Sequence, residues 1–164
     1  MIGRLGGVDY GRKRIGLAVS DALGITVTGL ETVVRRGTLE EAVAAVAAVL
    51  RERDVVAVVV GLPLHADGRE SEMSVEARAF GDALSIALRL PVTYFDEGLT
   101  SWEAEEAIKA TGKRLEQARK DGDIDRVAAV GILRSYLREQ EGLREQEGRR
   151  EQESRGTPPP ADDA

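Results

Sequence analysis

The first candidate for chemistry is Asp9, a carboxylate placed between two apolar runs that are typical of strands. Residues 5–10 and 15–20 form these runs, and the second alternates Ile15, Leu17 and Val19 with small residues. An ionised carboxylate in a strand needs a counter-charge or hydrogen bonds to offset its desolvation. A bound cation would supply that charge, and a basic, glycine-containing turn follows at 11–14, so the pattern indicates metal-dependent phosphoryl transfer. The alternative is that Asp9 only caps the turn.

A second carboxylate lies on the last predicted helix. At 3.6 residues per turn, Asp125 falls on one face with the apolar residues Ala128, Ala129, Ile132 and Tyr136. A carboxylate on the buried stripe of a helix rarely lacks a partner, which favours a site. Asp123 fits better the alternative of an acidic residue that interacts with the positive end of the helix dipole.

A third carboxylate comes from the pair Asp96 and Glu97 at the end of a predicted strand. Neighbouring strand residues point to opposite faces, so one of the two reaches the site, and periodicity does not choose between them. The chain has no cysteine, so oxygen ligands remain. Such a site suits Mg²⁺ or Mn²⁺, and two ions would stabilise the attacking and leaving oxygens of a phosphodiester.

These carboxylates must be positioned by an alternation of strands and helices. Thr38 and Glu41 form a capping box that opens a helix ending near residue 53, and the β-branched run at 55–60 predicts a strand covered on both faces. We predict further strands at 29–34 and 92–95 and further helices at 72–90, 100–110 and 124–137. This order predicts an α/β fold with a mixed five-stranded sheet and helices on both faces.

Charge is unevenly distributed along the 164 residues, whose net charge is −6. Residues 139–164 hold eight acidic residues and four arginines, which leaves a net charge of only −2 for the rest. Three copies of Arg-Glu-Gln-Glu at 138–153 offer almost nothing apolar to bury, and Gly142 and Gly148 weaken a helix. We therefore predict a single domain over 1–141 and a low-complexity, disordered tail over 142–164.

Basic residues cluster at Arg12, Lys13 and Arg14, next to Asp9. A local patch of this kind binds phosphates whatever the net charge is, so we predict that these three bind substrate, against the alternative of ordinary solvated surface. The longest β-branched run is too short to cross a bilayer, and no apolar leader is present. We expect a cytoplasmic protein with no membrane partner.

Four sequence blocks resemble the YqgF/RuvX family of ribonuclease H-like nucleases. They are VDYG at 8–11 with RIGLAVSD at 14–21, VGLPL at 60–64 with DG at 67–68, DE at 96–97 with LT at 99–100, and ID at 124–125 with AA at 128–129. The resemblance implies a ribonuclease H-like fold and a catalytic, metal-binding triad of Asp9, Glu97 and Asp125, which chooses Glu97 over Asp96. It also implies that Arg14 and the loop at Gly61 line the substrate groove.

The chain departs from the family pattern at two positions. Gly98 stands where the family usually has arginine, which removes one phosphate or structural contact but leaves the carboxylates intact. His65 stands where asparagine is common. It is the only histidine, and we interpret it as a loop residue facing substrate or solvent rather than a general base.

The family resemblance implies a metal-dependent endonuclease acting on structured nucleic acid. Its function would be processing of the 5′ end of pre-16S ribosomal RNA or, alternatively, cutting of Holliday junctions, for which two paired sites predict a homodimer. Two other classes stay open. The turn at 9–16 resembles the first phosphate loop of actin-like ATPases, which need two such halves where this chain has one, and a non-catalytic nucleic-acid or ribosome-binding module would keep the fold without the activity.

Overall fold

An antiparallel hairpin forms the middle of the sheet. In the computed structural model, which describes residues 3–65, 67–96 and 101–156, strand β1 (Arg4–Asp9) pairs with β2 (Arg14–Ser20), and Asp9 lies opposite Gly16. Strand β3 (Val27–Gly29) continues the antiparallel pairing on the far side of β2. The short β4 (Val33–Val34) pairs with the start of β2.

Two parallel strands complete the sheet on the other side of β1. Strand β5 (Val55–Gly61) runs parallel to β1, and β6 (Val92–Phe95) runs parallel to β5. The strand order is therefore β3-β2-β1-β5-β6, with β4 beside β2 as a sixth strand where the sequence predicts five. This mixed sheet confirms the ribonuclease H-like fold, because three antiparallel strands are followed by two parallel ones reached through helical crossovers.

Helices cover both faces of the sheet, as the order of elements predicts. They are α1 (Leu39–Arg51), α2 (Glu72–Leu88), α3 (Ser101–Lys109), α4 (Leu115–Lys120) and α5 (Asp123–Gly156). The capping box is confirmed at α1, where the Thr38 hydroxyl accepts from the Glu41 amide and the Glu41 carboxylate accepts from the Thr38 amide. Ser71 and Ser74 form a similar box at α2.

The two faces of the sheet pack differently. On the face covered by α1 and α2, branched and aromatic side chains fill the core, among them Val8, Ile15, Leu17, Val46, Val58, Val60, Phe80 and Leu84. On the other face a smaller cluster joins Ala18, Val59 and Phe95 to Ala129, Ile132 and Leu133 of α5. Small residues dominate this second face, so α5 lies closer to the sheet than a helix packed on branched side chains could.

Several element boundaries differ from the predictions. In place of the predicted strand 29–34 the chain forms β3 and β4, and between them the Thr32 hydroxyl donates to the Gly122 carbonyl. Helix α2 ends two residues earlier than predicted, since Arg89 adopts a left-handed conformation with φ 56° and Ser85 donates to the Leu90 carbonyl. The six-residue α4 was not predicted.

The prediction of disorder from residue 142 is corrected for 142–156, where α5 continues without a break to Gly156. The segment is rich in Arg, Glu and Gln, which have high helix propensity. The two glycines each cost only about 1 kcal/mol relative to alanine, which does not end a helix already nucleated on the sheet. The division into a domain at 1–141 and a tail stays a prediction.

The close approach of α5 to β2 predicts a large difference between two glycine substitutions. A Cβ added at Gly16 would lie 1.9 Å from the Asp125 carbonyl oxygen, whereas one at Gly142 would meet nothing within 4 Å. We expect Gly16→Ala to lower the free energy of unfolding by about 1–3 kcal/mol, the usual cost of overpacking. Gly142→Ala is the control, and it raises helix propensity by about 1 kcal/mol.

Urea unfolding followed by circular dichroism measures both variants. If Gly16→Ala were as stable as the wild type, α5 would not rest on β2 at this point.

Candidate active site

Asp9 reaches the α5 face of the sheet by strand alternation. Its neighbours Val8 and Tyr10 are buried in the core on the opposite side, so Gly7 and Asp9 point toward α5. Asp9 is the last residue of β1, the middle strand of the path, and it is partly buried. A carboxylate is thus held at the carboxyl end of the central strand, below the first turns of α5.

Asp125 meets Asp9 because glycines let α5 settle onto the strands. A Cβ at Gly7 would lie 2.9 Å from Cβ of Leu133 and 3.2 Å from the Ala129 carbonyl oxygen, and Gly16 faces Asp125 in the same way. Four helical residues rise about 6 Å and two strand residues about 6.6 Å, so the two elements stay in step over this distance. Since Gly16 is the partner of Asp9 in the hairpin, the contact sets Asp125 beside Asp9.

Burial makes both carboxylates costly to ionise, and the charge of Asp125 adds to that cost for Asp9. Burial, and then the negative charge of Asp125, raise the pKa of Asp9 from 3.8 to about 7. Burial also raises the pKa of Asp125, while the nearby Arg14 opposes that shift. A pair of desolvated carboxylates with one arginine beside them leaves negative charge that a divalent cation would neutralise. The donor set therefore fits the oxygen-ligand metal site that the sequence predicts.

The third predicted ligand, Glu97, lies outside the described residues. The described chain reaches Phe95, which packs on α5 through an edge-to-face contact with Tyr136, and Asp96, which is exposed. Within 3–65, 67–96 and 101–156, no three His, Cys, Asp or Glu side chains come together in a metal-binding group. The carboxylates that the described structure brings together are therefore Asp9 and Asp125.

Asp123 takes no part in this pair. Its carboxylate accepts from Lys113 and, at 2.8 Å, from Arg126. Arg126 also donates to the Leu30 carbonyl, so these contacts tie the start of α5 to the end of β3. This agrees with the interpretation of Asp123 as a residue of the helix N-terminus.

The three predicted substrate-binding residues divide between the two faces of the sheet. Arg14 lies two residues before Gly16 in β2 and hence on the carboxylate side, where its charge acts on Asp125. Arg12 turns to the opposite side and donates to Glu76 of α2, with Nη2 to Oε1 at 2.7 Å. Lys13 is exposed at the tip between them. Substrate binding by any of the three stays a prediction, but they do not form one continuous edge.

Sequence reasoning did not identify a group of side chains behind the turn. Tyr10 is buried, and its hydroxyl lies 2.6 Å from Nη1 of Arg35 and 3.3 Å from Oε2 of Glu76. Glu76 is 64 positions from Arg12 in the chain, so no local spacing could have indicated the contact. The glycines at 7 and 16 did carry a signal, because small residues on alternate positions of adjoining strands indicate a closely packed helix.

A cavity of about 540 Å³ lies away from the carboxylates, at the other end of the sheet. Its floor is aliphatic, and α5 residues beyond Leu133 form one wall, with Leu5, Val27, Ala57, Val59 and Leu137 among the lining residues. None of the predicted site residues lines it. Concavity alone points to this end of the molecule, whereas the paired carboxylates lie at the opposite ends of the strands.

The mixed sheet with helices on both faces is the ribonuclease H-like fold that the sequence predicts. The model of one family, RuvX, described as Holliday junction resolvase, matches residues 3–139. The chain belongs to the RuvX family.

Proteins of similar sequence agree with this assignment. A Synechococcus sp. protein named "Putative pre-16S rRNA nuclease" is 50% identical over 134 residues, covering 82% of this chain and 88% of that protein. A protein of the same name from Anaeromyxobacter dehalogenans is 47% identical over 131 residues, covering 80% and 93%. The T. thermophilus RuvC structure in complex with a Holliday junction substrate is similar with a TM-score of 0.49 at 18% identity, covering 84% of this chain and 96% of RuvC.

No helix in the described part of the chain is long and apolar enough to cross a membrane.

The raised pKa of Asp9 predicts a pH-dependent stability. Its folded pKa of about 7 exceeds the unfolded value of 3.8, so the protonated form is favoured in the fold. The contribution of Asp9 to the free energy of unfolding is therefore greatest below pH 4, and this contribution is lost as the pH rises through 7. In EDTA we expect the wild type to lose about 2–4 kcal/mol relative to Asp9→Asn between pH 4 and 8.

Urea unfolding of both proteins at several pH values measures this difference, because groups that do not interact with Asp9 contribute equally to both. A constant difference between the two proteins would mean that Asp9 is not desolvated. Mg²⁺ added at pH 8 should restore part of the wild-type loss and none of it in Asp9→Asn.

Proposed function

We propose that this chain is a divalent-metal-dependent endonuclease that processes the 5′ end of pre-16S ribosomal RNA. The observation that carries the proposal is the pairing of Asp9 with Asp125, two desolvated carboxylates beside Arg14 at the end of the central strand. The names of the relatives at 50% and 47% identity support the choice of substrate.

Asp9 and Asp125 would hold the metal, with Glu97 as the third carboxylate. Glu97 follows Phe95 by two positions in the chain, and Phe95 packs on α5. Carboxylates favour the hard ions Mg²⁺ or Mn²⁺, and we propose two of them. When bound, these ions supply Lewis-acid stabilisation of the phosphate and activation of the attacking water. Because a cation is the missing counter-charge, both aspartates would be ionised at neutral pH in its presence.

Arg14 and Lys13 of the turn would position the nucleic acid. Arg14, on the carboxylate side, would bind a phosphate oxygen next to the cleaved bond and offset the repulsion between the phosphate and Asp125. Lys13, exposed at the tip of the turn, would contact a phosphate further along the strand. Their contribution is to orientation and to salt-dependent affinity, and it does not select a sequence.

Resolution of Holliday junctions is a second candidate, favoured by the description of the RuvX family model. The same carboxylates would perform the same hydrolysis on DNA. Because a four-way junction is cut at two symmetrical positions, this function predicts a homodimer that carries two sites. Processing of an RNA end needs only one site, so the oligomeric state on each substrate separates the candidates.

Cleavage of three labelled substrates tests the proposal: a pre-16S fragment with its 5′ extension, a four-way DNA junction and a matched duplex, each with Mg²⁺ or Mn²⁺. We expect Asp9→Asn, Glu97→Gln and Asp125→Asn each to lower the rate by about a thousandfold, which corresponds to loss of several kcal/mol of transition-state stabilisation. Asp96→Asn is the control, since this exposed carboxylate precedes Glu97 and should leave the rate unchanged.

The outcomes divide the hypotheses. Preferred cutting of the RNA supports ribosomal processing, and preferred cutting of the junction by a dimer supports resolution. Persistent cleavage in Asp9→Asn and Asp125→Asn would contradict the carboxylate site. Binding without cleavage of any substrate would favour a non-catalytic module.

A further inference from the structure

The turn that joins Asp9 to Arg14 is tight and is held from behind. A Cβ at Gly11 would lie 2.3 Å from the Arg14 carbonyl oxygen, so the chain reverses with no room for a side chain there. In front, toward α5, the turn presents Asp9 and Arg14, which the proposed reaction uses. Behind it, Tyr10 and Arg12 reach toward α2. The contacts of Tyr10 and Arg12 therefore fix the end of β1 and the start of β2, which carry Asp9 and Arg14.

Glu76 is the centre of the contacts behind the turn. Nη2 of Arg12 donates to Oε1 of Glu76 at 2.7 Å, and Nε of Arg12 donates to both Oε1 at 3.1 Å and Oε2 at 3.2 Å, so the guanidinium makes charge-assisted hydrogen bonds to both carboxylate oxygens. Oε2 of Glu76 accepts from the Tyr10 hydroxyl at 3.3 Å. The hydrogen bond and charge of Arg12 lower the pKa of Glu76, so it is ionised at neutral pH. One carboxylate thus joins two residues of the turn, Tyr10 and Arg12, to α2.

Tyr10 makes this attachment rigid. Its ring packs on Phe80 with centroids 5.2 Å apart, and the Arg35 guanidinium lies 5.3 Å from the ring centroid and donates to the hydroxyl. The Arg35 amide in turn donates to the Lys13 carbonyl at 2.9 Å. The residue next to Asp9 is therefore buried on one side and hydrogen-bonded to two charged groups on the other.

We propose that Glu76 is a positioning residue that holds Arg12 and Tyr10 and so fixes Asp9 and Arg14 on the opposite side of the same turn. The inference rests on the proposed nuclease function. The inference has a second consequence, because Arg12 is held by Glu76 and is not a phosphate contact in the wild type. Of the basic cluster Arg12, Lys13 and Arg14, the phosphate-binding residues are therefore Lys13 and Arg14.

Two effects of opposite sign follow for Glu76→Gln. Release of Arg12 adds a cation that binds one more phosphate, so binding to a DNA duplex tightens and the slope of log K against log salt steepens by about 0.9. Turnover falls about tenfold or more, because displacement of a catalytic group by an ångström costs up to about a hundredfold. A variant that was only misfolded would lose affinity and turnover together.

Two matched variants separate charge from position. Glu72→Gln removes the same charge one turn earlier on α2, where Glu72 is exposed and lies 3.7 Å from Arg12, but it leaves Glu76 in place. We expect unchanged turnover and an unchanged salt slope. Tyr10→Phe removes the hydroxyl with no change of charge, and we expect slower turnover at unchanged affinity.

The experiment measures duplex binding over a range of salt concentrations, single-turnover cleavage with Mg²⁺, and backbone hydrogen exchange of residues 10–14 in all four proteins. Exchange should speed up in Glu76→Gln and Tyr10→Phe and not in Glu72→Gln. If the wild type cleaves and both variants cleave equally fast, the positioning role is wrong while the nuclease function stands.

If the wild type cleaves nothing, the nuclease function fails instead, and the exchange rates and salt slopes still decide whether Glu76 holds the turn. Weaker binding by Glu76→Gln, or unchanged exchange in both variants, would overturn the proposal.

Discussion

The contact of the α5 backbone with Gly16 is the constraint on which the site depends. The Asp125 carbonyl lies where a side chain on Gly16 would be, and this approach brings one carboxylate of the pair to the other. A branched residue at that position would move the helix outward and separate Asp125 from Asp9. The carboxylate pair therefore depends on the absence of a side chain at Gly16 as well as on the two aspartates.

The two faces of the sheet represent two solutions to packing. Against α1 and α2 the strands present valine, isoleucine and leucine, which supply most of the buried apolar area and hence of the stability. Against α5 they present glycine and alanine, which bury less area and leave the strands with more conformational entropy to lose. The helix that carries Asp125 lies on the face with the smaller apolar core, where the glycines allow close approach, and the larger core lies on the other face.

Periodic features of this structure could be predicted from the sequence, and contacts across the chain could not. The strand alternation around Asp9, the capping box at Thr38 and the buried stripe that includes Asp125 are local patterns, and the structure follows them. Arg12 and Arg14 lie on opposite sides of the turn, and local sequence patterns do not indicate on which side a turn residue lies. The residue that holds Arg12, Glu76, is also far away in sequence. The sequence predicts disorder beyond residue 142 because few apolar residues there could be buried. Helix α5 nevertheless continues, because the high helix propensity of Arg, Glu and Gln is sufficient to extend a helix that is already formed.

The 34 residues of α5 form a rod about 50 Å long, anchored on the sheet at the end that carries Asp125. Angular changes at the anchored end are amplified along such a rod: a tilt of about 5° at Asp125 would displace the far end by about 4 Å. Motions of the site too small to resolve directly would therefore be readable as displacements of a probe attached near Gly156. The exposed end of α5 would therefore report changes in helix orientation at the carboxylate pair.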